Sequence, residues 1–552
     1  MKKIEFLLLS VFLIVFAGCD KDLEKINTNP FAITDKIMDP GLLFAGSQRI
    51  GFGGWEREAT IVQFFVNPHN TGATLFFNFN YDEHIYSALG TYTGAARMFS
   101  HIIDVIDKNP DIYGGRQNLR NICRIWLAYA FMDVVDHHGS VPYTEALRAY
   151  YDGEKYFYPK YDKDSEIYEA LYNELKDAIS KLDGTKDWVP EDLFYGRNAS
   201  IPSSNAATQV AKWKKLGNSV LLRLGMRYSR VNPTKAAQIV TEAFNGGVIM
   251  EPADDTYVQY KNLAAFSNAT NNGLTSNQIY MYYAAEPFVN QLKNTNDPRG
   301  PYLIARFEDN TNPNKNVPVN TKLEEQFGVP VGVQQIDLID PAKMAEFGYR
   351  GSFGGGLNYS KFNSAGALSV GARTYWFSSV QNLLLLAEAA HRGWISGGDA
   401  KAKEYYEKAI MADMDKIEIF FSESTFPTKL PLPVKISEDD RAAYLDHDKV
   451  AWDKNDNKLE IINTQYWIAN LYDSGEAWAN HRRTDYPKLE RNKFNNNFYL
   501  GDGSFGDGFP RRWKYPQAEI TNNYPNYLDA VEELKKNGGG DNNTTRIFWD
   551  PK

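Results

Sequence analysis

An all-α fold is what the sequence predicts: an irregular α-solenoid of helical hairpins interrupted by a large loop-rich insertion. Three observations predict it. Apolar residues recur at helical spacing through about residues 40–250. Two separate stretches carry degenerate tetratricopeptide-like hairpin patterns. Between them, residues 251–375 are rich in Asn, Gly, Pro and aromatics and hold few long periodic stretches.

The chain opens with Lys2 and Lys3 and an apolar run from Phe6 to Ala17, broken only by Ser10. That run is too short to span a bilayer but suits the core of a signal peptide. It ends in Phe16-Ala17-Gly18-Cys19, which resembles a bacterial lipobox, although Phe16 stands where Leu is usual. Residues 1–18 are therefore expected to be removed and Cys19 to be lipidated. Several acyl chains there would anchor the protein stably, where one would not. Residues 19–39 read as a polar tether, and Asp20 and Asp22 resemble the surface-export signal of such lipoproteins. Residues 40–552 read as one helical domain.

Within that domain Leu119, Ile122, Cys123, Trp126, Ala130 and Val134 share one helical face, so Cys123 is expected to be a buried, inert thiol. Ile167, Leu171, Leu175, Ile179 and Leu182 make a second stripe, with Gly184 placed to end it. Residues 213–230 and 233–244 read as a hairpin turning at Val231-Asn232-Pro233, with Pro233 in the first turn of its second helix. Ser378 and Gln381 have capping-box spacing before a helix through His391, and another helix follows from Asp399 to about Met414. Trp213, Leu216 and Gly217 fit the first helix of a tetratricopeptide unit; Ala402, Tyr406 and Ala409 fit the second. The tail from Asn492 reads as irregular.

Composition is ordinary for a globular protein of 552 residues, at 43% hydrophobic and 23% charged, which excludes fibrous and wholly disordered classes. A net charge of −9 gives no overall pull toward nucleic acid, and membrane contact is expected through the lipid anchor only. Two cysteines allow no disulfide framework.

Chemical motifs are scarce. Gly501-Asp502-Gly503-Ser504-Phe505-Gly506 matches a dinucleotide fingerprint in letters only, with no strand before it and Pro510 after it. Adjacent His137 and His138 diverge on a helix and cannot share a metal. Asp453, Asn455 and Asn457 begin like a calcium loop, but Lys458 and Thr464 occupy its Gly and Glu positions. No nucleophile elbow or zinc motif occurs, so no catalytic residue, metal or cofactor is assigned. A glycosidase carboxylate pair assembled in three dimensions stays open.

Aromatics are the positive signal: 11 Trp, 34 Tyr and 32 Phe. Most must pad the core. Three clusters outside the stripes are candidate ligand contacts, since rings pack on sugar faces or peptides and Tyr or Trp adds a polar handle. Phe76, Phe79 and Tyr81 form the first, with Asn78 and Asn80 among them. Tyr280, Tyr282 and Tyr283 form the second, with Gln278 close by. Trp376, within Tyr375-Trp376-Phe377, marks the third.

Several strings are spread in order along the chain. They are Asn27-Thr28-Asn29-Pro30, then Asp136 to Ala146 with Gly139, Pro142-Tyr143 and Glu145-Ala146. Leu386-Ala387-Glu388-Ala389-Ala390 follows, then Glu476-Ala477-Trp478 with Arg482-Arg483-Thr484 and Tyr486-Pro487. Pro510-Arg511-Arg512, Tyr515-Pro516 and the terminal Phe548-Trp549-Asp550 complete the set. Together they resemble the SusD/RagB family of nutrient-binding outer-membrane lipoproteins, with His138, Ser140 and Phe548 departing from its pattern. These strings look like helix ends and turns, and they identify architecture rather than ligand.

The resemblance implies a non-catalytic protein, lipid-anchored at the outer membrane and facing the exterior. It would capture oligosaccharide or peptide and deliver it to a SusC-like TonB-dependent β-barrel transporter. It carries no ligand residue over to this chain. The alternatives are a surface glycoside hydrolase or lyase on a helical scaffold, and a scaffold protein whose repeats bind only other proteins. The empty motif scan disfavours the hydrolase, and the aromatic insertion disfavours the pure scaffold.

Overall fold

A computed structural model describes residues 34–50, 55–66, 88–196, 203–261, 283–307, 318–331, 352–353, 356–357, 359–363, 366–369, 371–423, 435–490 and 509–551. Ten helices of ten residues or more lie among them and are labelled here in order. α1 (Arg97–Lys108), α2 (Gln117–His138) and α3 (Asp164–Lys181) pack in sequence, α2 against both neighbours. α4 (Ala206–Arg227) and α5 (Pro233–Gly246) form one hairpin, α6 (Ser379–His391) and α7 (Gly398–Ser422) another. α8 (Lys458–Ala469) packs on α6, and α9 (Ser474–Thr484) packs on α8 and on the short helix Trp55–Ile61. α10 (Tyr524–Lys536) lies against the strand Tyr161–Asp162. The result is the irregular helical solenoid that the periodicity predicts.

The stripes are the contacts. All six apolar residues of the α2 stripe are buried, and burial with Asp192 nearby pushes the Cys123 thiol well above its usual range, so it stays protonated and inert. On α4 the small residues set the spacing. A Cβ on Gly217 would sit 2.6 Å from Ile179 Cγ1 of α3, and one on Gly225 would sit 2.9 Å from Ile239 Cγ2 of α5. The α4–α5 turn places Asn232 as a cap, its Oδ1 accepting the Lys235 N–H at 3.1 Å, with Pro233 opening α5. The Ser378–Gln381 capping box starts α6. Ala402, Tyr406 and Ala409 are buried where α7 meets its neighbours.

Three boundaries differ from expectation, each for a visible reason. α7 runs to Ser422, well past Met414, because Ile410, Met414, Ile417 and Phe420 continue one buried face. α3 ends at Lys181 without a left-handed glycine; Gly184 instead lets the chain pass Ala207, whose Cα would lie 2.9 Å from an added Cβ. The tail is partly helical, since Tyr527, Ala530 and Leu534 recur on one face of α10 and pack on the core.

Between α5 and α6 the longest described helix is the nine-residue Glu286–Asn294, and the strands are short ribbons. Thr256–Val258 pairs antiparallel with Thr374–Phe377, and Tyr283–Ala284 pairs with Phe65–Val66. Ile304–Phe307 lies between Lys361–Phe362 and Pro318–Asn320. Among the described residues no helix is long and apolar enough to cross a membrane. Cys19 and residues 501–506 lie outside the described residues.

Candidate functional site

Asn27–Pro30 lie outside the described residues, but several of the other strings that carried the family resemblance, distant in sequence, meet in space. Asp136, at the end of α2, accepts from Arg227 Nε of α4 at 3.1 Å and from the Trp549 indole at 2.9 Å. The same Arg227 holds the Glu476 carboxylate of α9 through Nη1 at 3.1 Å and Nη2 at 2.5 Å. Arg482 donates to the Asp136 and Arg511 carbonyls at 2.6 and 2.8 Å. Arg512 donates to the His138 carbonyl at 2.9 Å and to Asp541 at 2.8 Å. On the α6 side Arg483 grips Glu388 with two parallel bonds of 2.7 and 2.8 Å. All these charged side chains are buried. The strings are therefore a buried ion-pair centre tying α2, α4, α6 and α9 to the C-terminus, rather than turn chemistry. His137 and His138 do diverge. The first meets Glu58 at 3.0 Å, and the second accepts the Ala88 N–H at 3.0 Å. Among the described residues no cluster of three or more His, Cys, Asp or Glu could hold a metal.

Next to this centre is a cleft. One wall is the strand Thr374–Phe377, whose register slips between Tyr375 and Phe377. A bulge turns successive side chains to one side. Accordingly the Trp376 ring rests edge-on against Trp126 at 5.4 Å and Phe377 against Tyr129 at 4.9 Å, both on α2. Tyr375 is left facing the cleft.

The opposite walls are Gln381 of α6, Lys416 and Phe420 of α7, and Tyr472 and Asp473 in the α8–α9 link. The rings of Tyr375, Phe420 and Tyr472 form an edge-to-face series with centroids 5.6 and 6.2 Å apart. Gln381 Nε2 donates to Asn470 Oδ1 at 2.6 Å and to Asp473 Oδ2 at 3.0 Å. Arg373, at the rim, bonds Glu423 Oε2 at 2.9 Å and Gln259 Oε1 at 3.0 Å, while stacking on Tyr257. Lys416 Nζ lies 2.7 Å from Asp413 Oδ1.

Both cations are thus neutralised by protein carboxylates, and the Gln381 amide is engaged by Ser378, Asn470 and Asp473, so the cleft offers rings rather than net charge. Burial raises the phenol pKa of Tyr375 and of Tyr472, so both remain protonated at neutral pH. The Tyr472 hydroxyl has no hydrogen-bond partner among the described residues. Among the described lining residues Asp473 is the only carboxylate. Burial raises its pKa, while Arg223, 3.8 Å away, pulls it down and joins the cleft floor to the ion-pair centre.

Of the residues singled out in the sequence, Phe76, Asn78, Phe79, Asn80, Tyr81, Gln278, Tyr280 and Tyr282 lie outside the described residues. Tyr283 requires a correction. It pairs with Val66 in a ribbon and is fully buried among Ala285, Val329 and Tyr359, with Lys361 Nζ 4.8 Å above the ring. Its alternation in a strand packed on both faces makes it core. Trp376 is half-buried on α2, and its neighbour Tyr375 lines the cleft. Phe420, Lys416, Tyr472 and Asp473 went unnoticed. The continuing α7 stripe carried the signal for the first two, and a lone ring in a tight helix–helix link for the others.

Comparison places this geometry among known folds. A SusD-like family model, described as starch-binding and associating with outer membrane, matches residues 54–516. A solved chitin-binding protein shares 23% identity at a TM-score of 0.69, covering 93% of this chain and 100% of that one. A SusD-like structure named Bacteroidetes AC2a has 23% identity and a TM-score of 0.72, with the same coverage. A chitin-binding SusD homologue from Flavobacterium johnsoniae has 20% identity and a TM-score of 0.66, over 92% of this chain and 97% of that one. No curated protein matches the sequence. The helical solenoid, the buried centre built from the family strings and the match over residues 54–516 make this chain a member of the SusD-like, outer-membrane-associated family.

Proposed function

We propose that the protein is a cell-surface lipoprotein that binds oligosaccharide without cleaving it and passes it to a TonB-dependent β-barrel transporter. The observation that carries the reading is the cleft of Tyr375, Phe420 and Tyr472 edged by Gln381. Ring faces suit the C–H faces of a neutral sugar, and the Tyr472 hydroxyl is the polar handle for one of its hydroxyls. Among the described residues, Asp473 faces Arg223 and the rim's Glu423 is held by Arg373, so neither stands as one of the free carboxylate pair that glycoside hydrolysis ordinarily uses. Chitin binding by two structural relatives supports a glycan over a peptide.

Calorimetric titration with soluble chitin and starch oligomers tests it. Wild type should bind at least one of them and leave its chain length unchanged. Tyr375→Ala and Tyr472→Ala should each weaken binding by on the order of 1–3 kcal/mol, as at other ring-stacking sites. Binding of peptides alone, or shortening of the oligomers, sinks the reading.

Anchoring through Cys19 completes it. Cys19→Ala should move the protein from the membrane to the soluble fraction. Retention of that variant in outer membrane would refute the anchor.

A further inference from the structure

Among the described residues two cations line the cleft, and each is answered by a carboxylate that does not line it. Lys416 is held by Asp413, whose other oxygen takes Arg299 Nη1 at 2.7 Å in the core. Arg373, at the rim, is held by Glu423, which accepts from Nε at 2.9 Å and from Nη2 as well. The two clamps differ. Asp413 is buried and shared with Arg299, so it serves the core as much as Lys416. Glu423 is partly exposed, and Arg373 is its only ion-pair partner among the described residues.

The position of Glu423 is unfavourable for the helix that carries it. It is the C-cap of α7, where the helix dipole disfavours a negative side chain. The helix gives no reason for a carboxylate there, whereas Arg373 does. Arg373 in turn does not depend on Glu423 for its place. Its Nε also donates to Gln259 Oε1 at 3.0 Å, and Gln259 is fixed by donating to the Gly371 carbonyl at 3.0 Å. The guanidinium lies 4.4 Å over the Tyr257 ring, which packs at 5.3 Å against Tyr375 of the cleft wall. Removing the carboxylate therefore uncovers a positive charge and leaves it at the mouth of the cleft.

We propose that Glu423 sets the ligand charge that the cleft accepts: by cancelling Arg373 it keeps out acidic sugars and leaves the site to neutral ones. This rests on the glycan reading above and adds the residue that selects within it. A uronate carboxylate drawn to Arg373 has to displace Glu423 and then lie beside it, with Asp473 a further negative charge on the floor. Juxtaposed like charges weaken a complex strongly, and such a repulsive element is a common source of specificity. A neutral oligosaccharide meets no such opposition. Discrimination thus resides in a side chain outside the cleft lining, acting through one that belongs to it.

Calorimetric titration of the full-length protein tests this, with chitin and starch oligomers as neutral probes and oligogalacturonate as the acidic one. Wild type should bind oligogalacturonate at least about tenfold more weakly than its better neutral probe. Glu423→Gln should raise the oligogalacturonate affinity at least about fivefold at low salt, and about 0.5 M salt should erase the gain. Neutral affinity and melting temperature should stay at wild-type values, because the substituted side chain is partly exposed and outside the lining. Adding Arg373→Gln should return the acidic probe to its wild-type affinity, which a general loosening of the rim would not do. An oligogalacturonate affinity unchanged in both Glu423→Gln and Glu423→Ala overturns the proposal. So does a gain that survives the Arg373→Gln addition, or a wild type that binds the acidic probe as tightly as the neutral ones. Neutral binding without the gain removes Glu423 and leaves the glycan reading standing. A wild type that binds neither neutral probe defeats that reading, and Glu423 then stands or falls on the gain alone.

Discussion

Arg483→Ala should cost about 3–5 kcal/mol of stability, because it takes from a buried, ionised carboxylate the bidentate partner that holds it. Arg483 and Glu388 are both completely buried and joined by two bonds of 2.7 and 2.8 Å. Asn480 Oδ1 accepts a further bond from Arg483 Nη2 at 2.6 Å. Truncating the arginine removes these bonds and strands Glu388 with Arg392 as its remaining ion-pair partner. Glu476→Ala should be as damaging, since it leaves Arg223 and Arg227 without the carboxylate they share. Replacing a buried pair together by apolar residues is much milder, so Arg483→Met with Glu388→Leu should recover a large part of the loss. Chemical denaturation of the two single variants and the double variant measures this. Single variants within about 1 kcal/mol of wild type would show that the pair is not a mainstay of the fold.

Stability should fall steeply as pH drops from about 4.5 to about 2. Burial alone would raise the Glu388 and Glu476 carboxyls, but Arg483 with Arg392 and Arg223 with Arg227 bring each down to about 2. In the unfolded chain both titrate near 4.5, so the unfolded state binds more protons throughout that interval. Each carboxylate then contributes on the order of 3 kcal/mol above it, lost as pH falls through the folded value.

Asp133 works in the opposite sense. Burial raises its carboxyl to about 6, so acidification through that value favours the folded state and offsets part of the fall. The alkaline side has its own limb. Burial opposes the charged His137 imidazole, yet Asp133 and the hydrogen-bonded Glu58 carry it up to about 9. Its contribution is complete below about 6.5 and lost as pH rises through about 9. Denaturant midpoints across pH 2–10 should therefore reach a maximum at about pH 4.5–5 and decline on each side. A profile flat down to pH 2 would contradict the assigned ionisation of the two glutamates. A His137→Gln variant that keeps the alkaline decline would contradict that of the histidine.

The helical scaffold was legible because it is local and periodic. The α2 stripe, the Ser378–Gln381 box and the Asn232-Pro233 turn each encode their element within a few residues, and the hairpins follow from burying those faces. Small residues at 217, 402 and 409 likewise announced close helix contacts before any partner was known. Charge pairing has no such signature. Nothing near Glu388 in the sequence points to Arg483, and nothing near Asp136 points to Arg227, Glu476 or Trp549; only the assembled fold brings them within hydrogen-bond reach. Rings are ambiguous for the same reason. Tyr283 and Trp376 both read as candidate ligand contacts, yet a strand pairing buries one and a bulge turns the other onto α2, leaving Tyr375 to face the cleft. Side-chain period tells a residue which face it shares, and tertiary packing alone decides whether that face meets core or solvent.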